Sequence, residues 1–105
     1  LSDYHQKILI IDNTNYSVDA YIPETNTIYE FFGDFWHGNI SLSKFASNKI
    51  NKRNKKTFGE LNLETMKRLE IFKKFGYNVV YIWENDFLLE RKKTWQLNGN
   101  FTKKK

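Results

Sequence analysis

The chain contains no cysteine. That excludes a disulfide framework and a thiolate metal centre, and it fits an intracellular protein. No apolar run approaches the roughly 20 residues needed to span a bilayer, so a membrane is not an expected partner. The pattern of a secretory leader is missing as well. No internal repeat recurs along the 105 residues, a length suited to one compact domain rather than two. The start at Leu1 rather than methionine reads as an excised piece of something longer, with a helix ahead of Lys7 cut short. Acidic residues are lacking from one long stretch: KFASNKINKRNKK, Lys44 to Lys56, holds six Lys or Arg and no acid.

What is present complements these gaps. Hydrophobic residues make up 40% and aromatics 17% of the chain, so its core is built around rings. The formal net charge is +5. A basic balance points to an anionic partner, or serves solubility alone. Its position is more telling. The block around Lys49, Lys52, Arg53, Lys55 and Lys56, interleaved with Ser and Asn, reads as an exposed loop or short helix. It suits a phosphate backbone, where each contact releases condensed counterions; the alternative is a solvated surface loop. Lys103 to Lys105 read as a frayed basic tail.

Elements follow from periodicity. Lys7–Asp12 (KILIID) is a strand, followed by a turn at NTN. Tyr16 to Ile22 alternates, with Tyr16, Val18, Ala20 and Ile22 on one face and Ser17, Asp19 and Tyr21 on the other. PETN, Pro23 to Asn26, is a hairpin loop, and Thr27 to Phe32 returns as a strand that Gly33 ends. Leu61 to Phe75 is a helix with Leu61, Leu69, Ile71, Phe72 and Phe75 on one stripe, and Gly76 stands at its C-terminal cap. Tyr77 to Trp83 reads as a buried strand, and Asp86 to Lys93 as a second, shorter helix. The order predicts one small α/β domain over 1–105, with a central mixed β-sheet flanked by helices.

The hairpin sharpens a chemical question. With Glu24 and Thr25 at its tip, Ile22 faces Thr27, Tyr21 faces Ile28, Ala20 faces Tyr29 and Asp19 faces Glu30. Directly opposed residues have Cβ atoms roughly 4.5–5.5 Å apart. Two carboxylates at that spacing repel and raise each other's pKa. A hard divalent cation removes the repulsion and suits oxygen ligands; a register one residue off would leave both acids solvated. A few residues on, His37 is within reach as a general acid or base near neutral pH. Phe35 and Trp36 fit two readings, core residues or wedges between base steps.

These residues carry a resemblance. FGDFWHG, Phe32 to Gly38, followed by FKKFGYNVVYIWE, Phe72 to Glu84, resembles the very-short-patch-repair endonuclease branch of the PD-(D/E)XK nuclease superfamily. The similarity runs from about Tyr16 to Glu84. It implies a restriction-endonuclease-like fold and a magnesium- or manganese-dependent endonuclease that hydrolyses phosphodiester bonds in DNA, double-stranded in the first instance. By the same resemblance Asp19 and Glu30 hold the metal. His37 is the general acid/base, and Phe35 and Trp36 insert into the base stack. Glu84 closes the Ile-Trp-Glu strand.

The chain also departs from that pattern. The lysine or histidine of the superfamily falls at Phe32, which can neither orient water nor stabilise charge. Lys67 or Arg68 on the long helix is the candidate substitute. Asp34 and Asn39 stand where zinc-binding cysteines would be, so no structural zinc is expected, and Asp34 becomes a candidate extra metal ligand. The alternative reading is a DNA-binding module that keeps the nuclease fold with impaired catalysis.

Overall fold

The computed structural model describes residues 6–92. The frayed tail at Lys103 to Lys105, the end of the second helix at Lys93, and the segment ahead of Gln6 lie outside the described residues. Strands β1 (Lys7–Ile11) and β2 (Thr14–Val18) form an antiparallel ribbon of their own, apart from the main sheet. The turn falls at Asp12–Asn13, one residue ahead of NTN. Both residues have positive φ, 52° and 61°, as a two-residue hairpin turn of matching twist requires, and Asp and Asn tolerate that conformation.

The main sheet has three strands. β3 (Ala20–Ile22) and β4 (Thr27–Phe32) pair antiparallel, with Ala20 opposite Tyr29, Tyr21 opposite Ile28 and Ile22 opposite Thr27, the register expected from the hairpin. Asn26, φ 53°, closes the loop by donating its N–H to Pro23 O. The ladder stops short of Asp19, which lies in a bend between β2 and β3. That bend shifts the alternation by one residue. Tyr16 and Val18 pack in the core before it and Tyr21 packs on the core after it, while Ile22 is exposed. A single face running from Tyr16 through Ile22 is therefore not observed.

After β4 come the short helix α1 (Asp34–His37), a 3-10 turn at Ser43–Phe45, and a minimal hairpin, β5 (Ile50–Asn51) with β6 (Lys56–Thr57). The long helix α2 (Phe58–Lys74) then crosses back, and β7 (Asn78–Trp83) joins β4 in parallel. Residues 84–92 are helical, α3. The result is a small α/β fold with a mixed sheet in the order β3-β4-β7.

Helix α2 begins three residues before Leu61 because Thr57 caps it. The Thr57 hydroxyl accepts from Glu60 N, and the Glu60 carboxylate accepts from Thr57 N, a reciprocal capping box. Its buried stripe is Phe58, Leu61, Thr65, Leu69 and Phe72; Ile71 is half-buried and Phe75 is exposed. Phe75 lies past the last turn, where Gly76 at φ 93° reverses the chain. Leu69 and Phe72 pack on Ile28 and Phe32 of β4 and on Val18 and Ile11, forming the core. Strand β7 is not buried throughout, since Val80 and Tyr81 are exposed. It has no neighbour on its outer edge among the described residues. None of the described helices is long and apolar enough to cross a membrane.

Gly38 locks α1 against α2. Its φ is 72°, and a Cβ there would run into Phe58 O and come within 2.7 Å of Asn62 N. Gly38→Ala is therefore expected to destabilise the fold by well over about 1 kcal/mol, read as a drop in the denaturant midpoint. A midpoint equal to the parent's would mean that α1 can stand away from α2.

Candidate functional site

One cavity collects side chains from four elements. It is lined by Asp19 from the β2–β3 bend, Glu30 and Phe32 from β4, His37 from α1 and Arg68 from α2, beside Ser17. Glu30 and Phe32 point the same way from β4 because residues two apart share a face. Gly33 then turns the chain so that His37, at the end of α1, comes back over Phe32, ring centroids 4.9 Å apart.

Arg68 is the hub. It sits on the buried side of α2, and its guanidinium lies over the rings of Tyr16 and Phe72, 5.5 and 5.0 Å from their centroids. Nε donates to Glu30 Oε1 at 2.7 Å, and the terminal nitrogen donates to Ser17 O at 2.6 Å. Of the two basic residues considered as substitutes for position 32, only Arg68 reaches the cavity. Lys67 is exposed on the outer side of α2, beside Glu70 and Lys74, one residue along and about 100° around the helix.

Glu30 is only 7% exposed. Burial pushes its carboxyl above the ordinary range, Arg68 pulls it back down and the Asp19 charge pushes it up again. Asp19 is not a bare neighbour. Its Oδ2 accepts the Phe31 N–H at 2.5 Å and its backbone bonds to Glu30. The two acids thus share one cavity by way of a bend, not by standing opposite each other in a ladder. His37 is pushed below the usual imidazole range, chiefly by burial and then by the Arg68 charge, against a smaller upward pull from Asp19. Both larger effects favour the neutral ring.

Among the described residues, no three His, Asp or Glu side chains converge closely enough to enclose a metal ion. The oxygen chemistry still suits one kind of ion. Magnesium keeps several of its waters and takes only one or two carboxylates. Asp19 and Glu30 offer that pair, with room for water in a cavity of about 210 Å³.

Asp34 belongs elsewhere. It does not line the cavity but is buried, its Oδ1 accepting from Asn39 Nδ2 at 2.9 Å and Asn85 N at 3.3 Å. Glu84 Oε1 accepts from Asp34 N at 3.1 Å. Asn39 Oδ1 in turn accepts from Ser41 Oγ at 2.6 Å. This knot ties α1 to the start of α3, so Asp34, the candidate extra ligand, and Glu84 stand outside the cavity that Asp19 and Glu30 line.

The basic segment is a second surface. Its tip, Lys52 to Lys55, is exposed. Asn51, which nothing in the sequence singles out from the other asparagines of the run, is fully buried. Its Nδ2 donates to Phe35 O at 3.0 Å, and its Oδ1 accepts from Arg53 N at 2.9 Å. The tip is thereby clipped to α1. Lys49 donates to Ser43 O at 3.4 Å, and Lys56 pairs with Glu64 at 2.6 Å, which partly neutralises its charge. Phe35 is half-buried and packs with Phe45 and Phe58, centroids 5.9 and 5.8 Å away. Trp36 is 53% exposed and stands edge-on against Phe35 at 4.8 Å.

Comparison with protein-family models, with characterised proteins and with solved structures gives no match to this chain.

Proposed function

We propose that this chain is a metal-dependent DNA endonuclease domain with a restriction-endonuclease-like fold, as its resemblance to PD-(D/E)XK nucleases implies. The observation that supports it best is the meeting of Asp19, Glu30, His37 and Arg68 in one cavity. Two acids can hold a divalent ion, an imidazole can move a proton and a guanidinium can offset charge, all of which serve hydrolysis of a phosphodiester. Asp19 and Glu30 would hold magnesium or manganese. When bound, the ion supplies Lewis acidity toward the phosphate and an activated water. His37 accepts a proton from water, for which a neutral ring is required. Arg68 offsets the carboxylate charge in place of the residue missing at Phe32.

DNA would lie along the basic tip, with the exposed Trp36 of α1 as the candidate wedge. Asn51 joins the tip to α1, the element that carries Trp36. Neutralising Lys52, Arg53 and Lys55 is expected to weaken duplex binding about equally for all sequences. The slope of log K against log salt should become shallower by about 0.9 for each phosphate that the variant no longer neutralises. Lys56 should contribute less, since Glu64 already pairs it. An unchanged slope would reduce the block to a solvated loop.

A second reading, a DNA-binding module with impaired catalysis, has an observation of its own: Phe32 is buried in the core at 1% exposure and Glu30 is already paired with Arg68. Incubating the protein with plasmid and linear duplex DNA, with magnesium or manganese and with chelator, separates the two. Chelator-sensitive cleavage supports the nuclease; salt-dependent binding without cleavage favours the module.

A further inference from the structure

We propose that Thr65 is a positioning residue that holds His37 in the tautomer protonated at Nδ1, leaving Nε2 unprotonated and open to the cavity. The chemical use of that nitrogen rests on the nuclease reading above; the tautomer does not. Thr65 lies in the apolar stripe of α2, one turn from Leu61 and one turn from Leu69, and is 4% exposed. Its Oγ1 is 3.0 Å from Leu61 O, 3.2 Å from His37 O and 3.3 Å from His37 Nδ1.

Proton counting decides among these contacts. A carbonyl oxygen only accepts, and a threonine hydroxyl has one proton to give. Were that proton directed at Nδ1, Oγ1 would turn its lone pairs on two carbonyl oxygens in a site closed to water. A buried arrangement of that kind is costly. With the proton on a carbonyl instead, Oγ1 is left as an acceptor, and Nδ1 must be the donor. The hydrogen bond at one ring nitrogen then sets the state of the other.

The open position of Nε2 follows from a second observation. No buried side-chain nitrogen or oxygen lacks a partner among the described residues. Among the described residues Nε2 has no hydrogen-bond partner, so it is not sealed by them, and His37 lines the cavity beside Asp19 and Glu30. Phe32 packs against one side of the ring, centroids 4.9 Å apart. An unprotonated Nε2 accepts a proton from water in the cavity; the opposite tautomer would present a proton there instead.

Long-range proton–nitrogen correlation spectra of ¹⁵N-labelled protein, at a pH where the imidazole is neutral, read the tautomer directly. His5→Gln identifies which signals belong to His37. The parent and Thr65→Ser should show a protonated Nδ1 and a bare Nε2. Thr65→Val keeps the branched shape, removes the hydroxyl and should lose that preference. A protonated Nε2 in the parent, or an Nδ1–H tautomer that persists unchanged in Thr65→Val, overturns the proposal. On duplex DNA, Thr65→Val should slow cleavage, by less than the roughly 10²–10⁴-fold that a general base itself contributes, while Thr65→Ser stays near the parent. If no DNA is cut at all, the nitrogen spectra still decide the tautomer, and only the nuclease reading falls.

Discussion

Asp19→Asn is expected to reduce metal-dependent DNA cleavage by at least ~10³-fold while the domain stays folded. Charge stabilisation by a bound divalent ion is worth several kcal/mol in the transition state, and each 1.36 kcal/mol is tenfold in rate. Asp19 provides one of the two carboxylates in the cavity, and an amide is a poor substitute for an anionic oxygen ligand. The substitution spares the fold for a local reason. Asp19 Oδ2 accepts the Phe31 N–H at 2.5 Å, and an asparagine oxygen can accept the same bond. Calorimetric titration with magnesium or manganese should lose its binding signal, and the denaturant midpoint should hold. Cleavage at the parent rate would remove Asp19 from the site.

Arg68→Met should cost about 3–5 kcal/mol of stability near neutral pH, the usual result of removing one partner from a buried ion pair. That is a large share of the roughly 5–15 kcal/mol that a domain of this size possesses. The cause is Glu30, which at 7% exposure would be left buried without the 2.7 Å guanidinium contact. The pH dependence has a definite sign. Glu30 lies above its ordinary value of 4.5 already, and losing Arg68 raises it further. An acid whose folded pKa exceeds its unfolded one binds its proton first in the folded state. Its contribution is therefore most favourable below the unfolded pKa and is lost as pH rises through the folded one. The deficit of Arg68→Met should shrink as pH falls toward that range, and Arg68→Met combined with Glu30→Gln should recover part of it. His37, lowered in the parent by burial and then by the Arg68 charge, loses stability as pH falls through the imidazole range; without Arg68 that loss is smaller, which shrinks the deficit in the same direction. Denaturant unfolding across that range measures the difference. A deficit that does not change with pH would mean Arg68 acts through its packing on Tyr16 and Phe72.

Local signals were legible where local chemistry decides. PETN between two alternating runs specifies a tight hairpin, and the register Ala20–Tyr29 to Ile22–Thr27 follows from its tip. Thr27–Phe32 ends at Gly33 because the next residues form a helix. The core stripe of α2 was only partly legible. Thr65 lies within it, and a hydroxyl among apolar residues one turn apart is the available sign of a buried partner. Phe75 misled because hydrophobicity alone does not reveal that the helix has already ended.

Residue order by itself determined the α/β alternation, the hairpin register and the basic run, since each depends on spacing of a few residues along the chain. Only the tertiary structure decided which basic residue enters the cavity, because Lys67 and Arg68 are adjacent in sequence and face different ways on α2. It also decided that the bend at Asp19 breaks the alternation, that Asp34 joins Asn39 and Asn85 in a buried knot, and that Asn51 holds the basic tip to α1. Contacts such as Arg68 with Glu30 and Asp34 with Asn85 join residues 38 and 51 positions apart. No local period encodes them. They exist because the α2 crossover brings β7 alongside β4 and closes the helix over the sheet.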